Sequence, residues 1–182
     1  MAHKFDEISP DLKRAITEAP VYFVATAPLA SDGHVNLSPK GLDTLRVLGP
    51  RTIAYLDLTG SGNETAAHIM ENGRLTFMVC SFLGEPQIIR IYCRGRVVSR
   101  QSPEWIEWSA HFPVLSGTRQ IVVGDVDFVL TSCGYAVPEM NLVGERDTLL
   151  RWADSKGEEA LKHYRRDKNT RSIDGIPAPE TD

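Results

Sequence analysis

Lys40 and the hydroxyl and amide side chains of Ser61, Asn63 and Thr65 are the residues of this 182-residue sequence best suited to gripping an anion. In HVNLSPKG, residues 34–41, the side chains of Asn36, Ser38 and Lys40 share one face of an extended segment while Val35 and Leu37 take the other. Pro39 withholds a ladder donor and Gly41 follows Lys40, so the backbone is free to leave the sheet where the lysine arrives. Two readings fit. One is an edge strand guarded against pairing with other chains. The other is a ligand strand, on which each charge-assisted hydrogen bond to a negative group contributes ~1.5–3 kcal/mol.

The second stretch, LTGSGNETAAHI, follows a strand-like run that ends in Asp57 and Leu58. Gly60 and Gly62 loosen the backbone, and Ser61, Asn63 and Thr65 stand at a helix start whose unpaired N–H groups and positive dipole end favour an anion. The stretch lacks the Gly-Lys-Ser/Thr ending of a P-loop, and Thr65 stands where a dinucleotide fingerprint has its third glycine. A phosphate seat and an ordinary capped loop both fit. In IIRIYCRGR, Arg90, Tyr92, Arg94 and Arg96 alternate with Ile89, Ile91 and Cys93; such cations ordinarily meet solvent and salt bridges. His68 and His111 read as packed or solvated histidines, and Cys80 and Cys93 as small core residues.

The elements that must position these groups follow from periodicity and punctuation. Ser9-Pro10 opens a helix to about Glu18. Residues 21–27 and HVNLS form a hairpin across SDGH, and Thr52–Leu58 is a strand. A helix from Asn63 is closed by Gly73. RLTFMVCSF is a buried strand, residues 87–100 a long strand with a bulge at Gly95, and residues 120–133 the last strand. Ser102-Pro103 opens a short helix between these last two. Helical stretches near 145–155 and 158–167, the basic run KHYRRDKNTR and a turn-rich tail complete the chain. Six or so mostly antiparallel strands with peripheral helices predict a mainly β barrel, one domain over 1–182 with a C-terminal helical extension from 145 to 182.

Composition narrows the function. With 42% hydrophobic and 24% charged residues the chain has globular composition. A net charge of -4 argues against a nucleic-acid surface. The charged start has no apolar signal core, and no run approaches the ~20 apolar residues of a membrane span. Three widely spaced cysteines suggest neither a disulfide framework nor a metal site. A cytoplasmic protein without nucleic-acid or membrane partners is the expectation.

The order of HVNLSPKG, YLDLTGSGNETAAH, IIRIYCRGR, SCGY and the tail GERDTLLRWADSKGEEALKHYRRDKNTRSIDGIP resembles that of the pyridoxamine 5′-phosphate oxidase-like, FMN-binding split β-barrel family, over nearly the whole chain. The resemblance implies a homodimer with FMN at the subunit interface. It implies that Ser38, Pro39, Lys40 and Gly41 touch the flavin and its phosphate side, that Asp57, Leu58 and Thr59 lie beside the ring, that Ser61, Gly62, Asn63 and Thr65 hold the phosphate, and that Arg90 faces the flavin. The vitamin B6 oxidases end in a short segment with substrate-binding Arg and His; the helix pair and NTRSIDGIP tail here depart from it. The expected function is therefore FMN-dependent oxidation or reduction of another small organic substrate. Non-catalytic flavin binding and use of the deazaflavin F420 or haem are the alternatives. Ile173, Ile176 and Pro177 around Gly175 are expected to fold the tail over the flavin mouth.

Overall fold

The computed structural model describes residues 2–181. In chain order the elements are β1 (His3–Phe5), α1 (Pro10–Glu18), β2 (Tyr22–Thr26), β3 (Asn36–Lys40), β4 (Leu45–Gly49), β5 (Thr52–Leu58), α2 (Glu64–Asn72), β6 (Arg74–Cys80), β7 (Gln87–Ser99), α3 (Trp105–Ser109), β8 (Thr118–Cys133), α4 (Thr148–Lys156) and α5 (Glu158–Lys168). Every strand pairing is antiparallel, in the order β3-β2-β6-β7-β8-β5-β4, with β1 added to β8.

The two ends of this sheet meet through side chains. Lys40 on β3 reaches Asp57 on β5 at 3.4 Å, and the Tyr22 hydroxyl on β2 lies 2.8 Å from Thr44 Oγ1, just before β4. The Tyr22 and Tyr55 rings meet edge to face, 6.0 Å between centroids. The molecule is thus a barrel with a seam that no strand ladder closes: a split β-barrel. Alternation along the strands fills it with Val24, Ile53, Tyr55, Phe77, Ile91 and Val129, and α1 adds Leu12 and Ile16. A smaller cluster of Ala54, Leu56, Val98, Ile121 and Val123 lies under Phe112, Trp105 and Trp108.

The expected helix ends are present: Ser9 Oγ accepts from Leu12 N–H, and Gly73 closes α2 at φ 71°. Other expectations need correction. Among the described residues the sheet has eight strands; the two beyond the six expected are β1 and the short β4, which lie in stretches without a clear strand pattern. Strand β3 begins at Asn36 and runs through Pro39 to Lys40, and Pro39 pairs with Phe23. This edge position needs no outward donor. Gly95 is not a bulge. It pairs with Gly124, and the register shift falls between Tyr92 and Cys93. Gly95 is instead where α2 crosses the sheet: a Cβ there would lie 2.9 Å from the Ile69 side chain. Helix α4 starts at Thr148, so residues 134–147 form an irregular arm with Tyr135, Met140, Leu142 and Val143 exposed. No helix among the described residues is long and apolar enough to cross a membrane.

Candidate functional site: a cavity at the barrel seam

Where the seam opens, a cavity of about 1170 Å³ is lined by Ser38, Pro39, Lys40, Gly41, Asp57, Leu58, Ser61, Gly62 and Thr65. Asn36, Leu56, Arg119 and the tail residues Arg171, Ser172 and Ile173 line it as well. The backbone leaves β3 through Gly41 and Leu42, which takes φ 60°, and Glu145 accepts the Leu42 N–H. Residues of different strands and of the C-terminal extension thus share one wall.

Asp57 is the electrostatic centre. Only 2% exposed, it accepts from Arg119 Nε at 2.8 Å and Gln120 Nε2 at 2.7 Å, both on Oδ2, and from Lys40 at 3.4 Å on Oδ1. Burial by itself would raise its carboxyl pKa; the Arg119 and Lys40 charges and the hydrogen bonds from Gln120 and Arg119 outweigh it and hold the pKa below the ordinary range. Local backbone irregularity explains how two successive residues of β8 reach one carboxylate. The β5–β8 register shifts between Asp57, paired with Gln120, and Leu58, paired with Thr118, which leaves Arg119 as the extra residue of a bulge.

From Arg119 the network runs behind the glycine loop. Arg119 Nη1 donates to Gly62 O and Asn169 Oδ1, each at 2.9 Å; Gln120 Nε2 donates to Asn63 Oδ1 at 2.8 Å; Asn169 Nδ2 donates to Gly60 O at 3.1 Å. Thr59 Oγ1 donates to Gly117 O and accepts from Arg165. Thr59 and Asn63 are therefore buried braces of the loop, whose cavity side is formed by Gly60, Ser61 and Gly62. With its side chain turned backward, Asn63 makes no cap bond to the first turn of α2.

A second network fixes the polarity of the wall. Asn36 Nδ2 donates to Thr26 Oγ1 and Thr65 Oγ1, and Asn36 Oδ1 accepts the Ser38 hydroxyl at 3.0 Å. Ser38 has its one proton committed inward and keeps acceptor lone pairs; Thr65 accepts from Asn36 and keeps a proton to give. Thr26 in turn contacts Nδ1 of His68, which is fully buried, as a packed histidine should be.

The tail reaches the mouth of the cavity. Both Glu64 carboxylate oxygens accept the Ile173 N–H, and Asp174 accepts from the His34 backbone and contacts its Nδ1 at 2.6 Å. The hydrogen bond that protonated His34 gives to Asp174, then the charge of that carboxylate, raises the His34 pKa. Arg90 lies elsewhere: half-buried on β7, it donates to Ser132 Oγ at 3.2 Å and does not line the cavity.

Sequence reasoning missed Arg119, Gln120, Arg165 and Asn169. The first two carry a signal, since an Arg-Gln pair opens the apolar run IVV of a core strand. Arg165 and Asn169 carry none, being lost in a basic, solvent-like helix end.

A split barrel with a cation- and hydroxyl-lined seam defines a class of ligand-binding β proteins. Comparison with known proteins is more specific. No family model matches the chain. It is 35% identical over 192 residues to ustO, a pyridoxamine 5′-phosphate oxidase family protein of Aspergillus flavus, an alignment covering 95% of this chain and 76% of the relative. The chain belongs to the pyridoxamine 5′-phosphate oxidase family. Among solved structures, HupZ of Group A Streptococcus superposes with a TM-score of 0.53 at 17% identity, covering 69% of this chain and 99% of that one. A candidate pyridoxamine 5′-phosphate oxidase from Lactobacillus delbrueckii gives 0.53 at 16%, covering 69% and 94%. These two share the fold.

Proposed function

We propose that the seam cavity binds FMN and that the protein is an FMN-dependent oxidoreductase of a small organic substrate, working as a homodimer. The observation that carries the reading is the incomplete engagement of Lys40. Its side chain is 23% exposed on the cavity wall; its ammonium lies 5.0 Å from the centroid of the Tyr55 ring and has, among the described residues, one hydrogen-bond partner, Asp57, at 3.4 Å. That is long for a charge-assisted bond, and Asp57 already has Arg119 at 2.8 Å. Lys40 thus remains available to an anion beside the Gly60–Gly62 loop and the uncapped start of α2, and the residues present fit a phosphate.

Lys40, Ser61, Thr65 and the loop N–H groups would hold that phosphate, and Ser38 offers acceptor lone pairs to a donor on the ligand. Leu56 and Leu58 supply apolar wall and exclude water. When bound, the flavin supplies the electron transfer. The three cavity carboxylates, Asp57, Glu64 and Glu145, are all occupied by protein donors, so their task is to position rather than to move protons. This favours a second reading, a flavin carrier without catalysis. The homodimer reading is supported by large apolar side chains exposed at Val35 and Leu37 and, on the 134–147 arm, at Tyr135, Leu142 and Val143, which a partner surface would cover.

The visible spectrum of the purified protein, followed by FMN titration, tests the cofactor. A flavin spectrum and saturable binding are expected; a deazaflavin or haem spectrum overturns the reading. Reduction of the bound flavin by NADPH with turnover then separates enzyme from carrier.

A further inference from the structure

We propose that the outer wall of the cavity selects a small monocarboxylic acid with an apolar body; this rests on the flavin reading, which assigns the inner wall to the cofactor. The outer wall comes from the chain after β8. Arg146, Lys168 and Arg171 line it. Arg146 makes no hydrogen bond or ion pair among the described residues. Arg171 gives one bond, to its neighbouring Gly175 carbonyl, and the partner of Lys168 is the adjacent, exposed Asp167.

The carboxylates nearest this wall, Glu145 on it and Glu64 at the start of α2, are differently placed. Glu64 is held by the Ile173 N–H and Glu145 by the Leu42 N–H, so neither neutralises a cation by contact. Lys168 is offset by Asp167 and the Arg171 side chain is tied to the Gly175 carbonyl, which leaves one wholly uncommitted cation on this wall among the described residues, Arg146. One positive charge matches a carboxylate and undershoots a phosphate dianion. Leu149 and Ile173, both exposed on the same wall, offer the apolar surface that the body of such an acid would cover. Room is available: at about 1170 Å³ the cavity exceeds the ~300–1,000 Å³ usual for a single small ligand.

The test is calorimetric titration of the full-length protein, with and without FMN, using benzoate, benzamide and phenyl phosphate. Benzoate should bind, and the neutral amide and the phosphate ester about tenfold more weakly, the equivalent of one charge contact. Arg146→Gln, which breaks no contact in the fold, and the double variant Lys168→Gln/Arg171→Gln should each weaken benzoate binding about tenfold and leave FMN affinity unchanged. Equal affinity for benzamide and benzoate, tighter binding of phenyl phosphate, or no benzoate binding overturns the proposal. Loss of FMN affinity in the rim variants also overturns it, by giving these cations to the flavin phosphate, while the flavin reading stands. Discrimination for benzoate in a protein that fails to bind FMN would refute the flavin reading and leave the carboxylate site.

Discussion

Lys40 and Arg119 both face Asp57, yet burial gives them different work. Lys40 is the longer contact and the more exposed cation, so Lys40→Met should leave the barrel folded and weaken FMN binding by roughly 10- to 100-fold, about one charge-assisted contact. Fluorescence titration checks this; unchanged affinity would remove Lys40 from the phosphate site. Arg119 is 5% exposed and engages three acceptors. Arg119→Leu strands a buried carboxylate and should cost ~3–5 kcal/mol in urea unfolding, partly restored by adding Asp57→Asn. The acid limb follows with a definite sign. Because the folded-state pKa of Asp57 is lowered, its stabilisation is complete above the unfolded pKa and is lost as pH falls through the folded value. Arg119→Leu should therefore move acid unfolding to higher pH.

Among the elements, those with local punctuation were legible in the sequence and those decided by distant contacts were not. Ser9-Pro10 and Gly73 mark helix ends by backbone chemistry alone, and both are used as expected. Strand β1 has only three exposed residues, and its existence depends on the free edge of residues 129–131. The wall residues Ser38 and Lys40 showed in the pattern because a polar face on a strand is conspicuous, and Asp57 came only through the family resemblance; Asn169 did not show, since its partners lie 50 and 109 positions away. Gly95 shows how one sequence feature permits two backbone explanations, a bulge or a close approach. The observed approach predicts that Gly95→Ala pushes α2 off β7 and costs ~1–3 kcal/mol of overpacking, read by thermal or urea unfolding.

For the whole molecule, the tail and the exposed apolar segments matter most. Sedimentation should show a homodimer, with an interface of more than about 2,000 Å² if it is obligate. A monomer at micromolar concentration would refute it. Removing residues from Arg171 onward should leave the dimer and bound FMN in place and increase quenching of the flavin by iodide, because Arg171, Ser172 and Ile173 form part of the mouth. Equal iodide access would show that the tail covers nothing. The His34–Asp174 contact gives this closure a pH dependence. The raised His34 pKa makes the contact complete below His34's ordinary 6.5 and loosens it as pH rises through the raised value. Iodide access in the full-length protein should grow over that interval, and His34→Ala should abolish the change.

The buried brace behind the glycine loop also sets a timetable for synthesis. Gly60 and Arg119 leave the ribosome long before Asn169, which bonds both, and Arg119 in turn holds Gly62. A nascent chain halted before α5 would have made every strand of the sheet while the loop and Arg119 still lacked that last partner. Domains fold as their residues emerge, but this one cannot finish the loop at its cavity until α5 and Asn169 are released. Under the flavin reading, cofactor capture would wait for the release of α5, and chains halted before it would lack a preformed place to hold the cofactor.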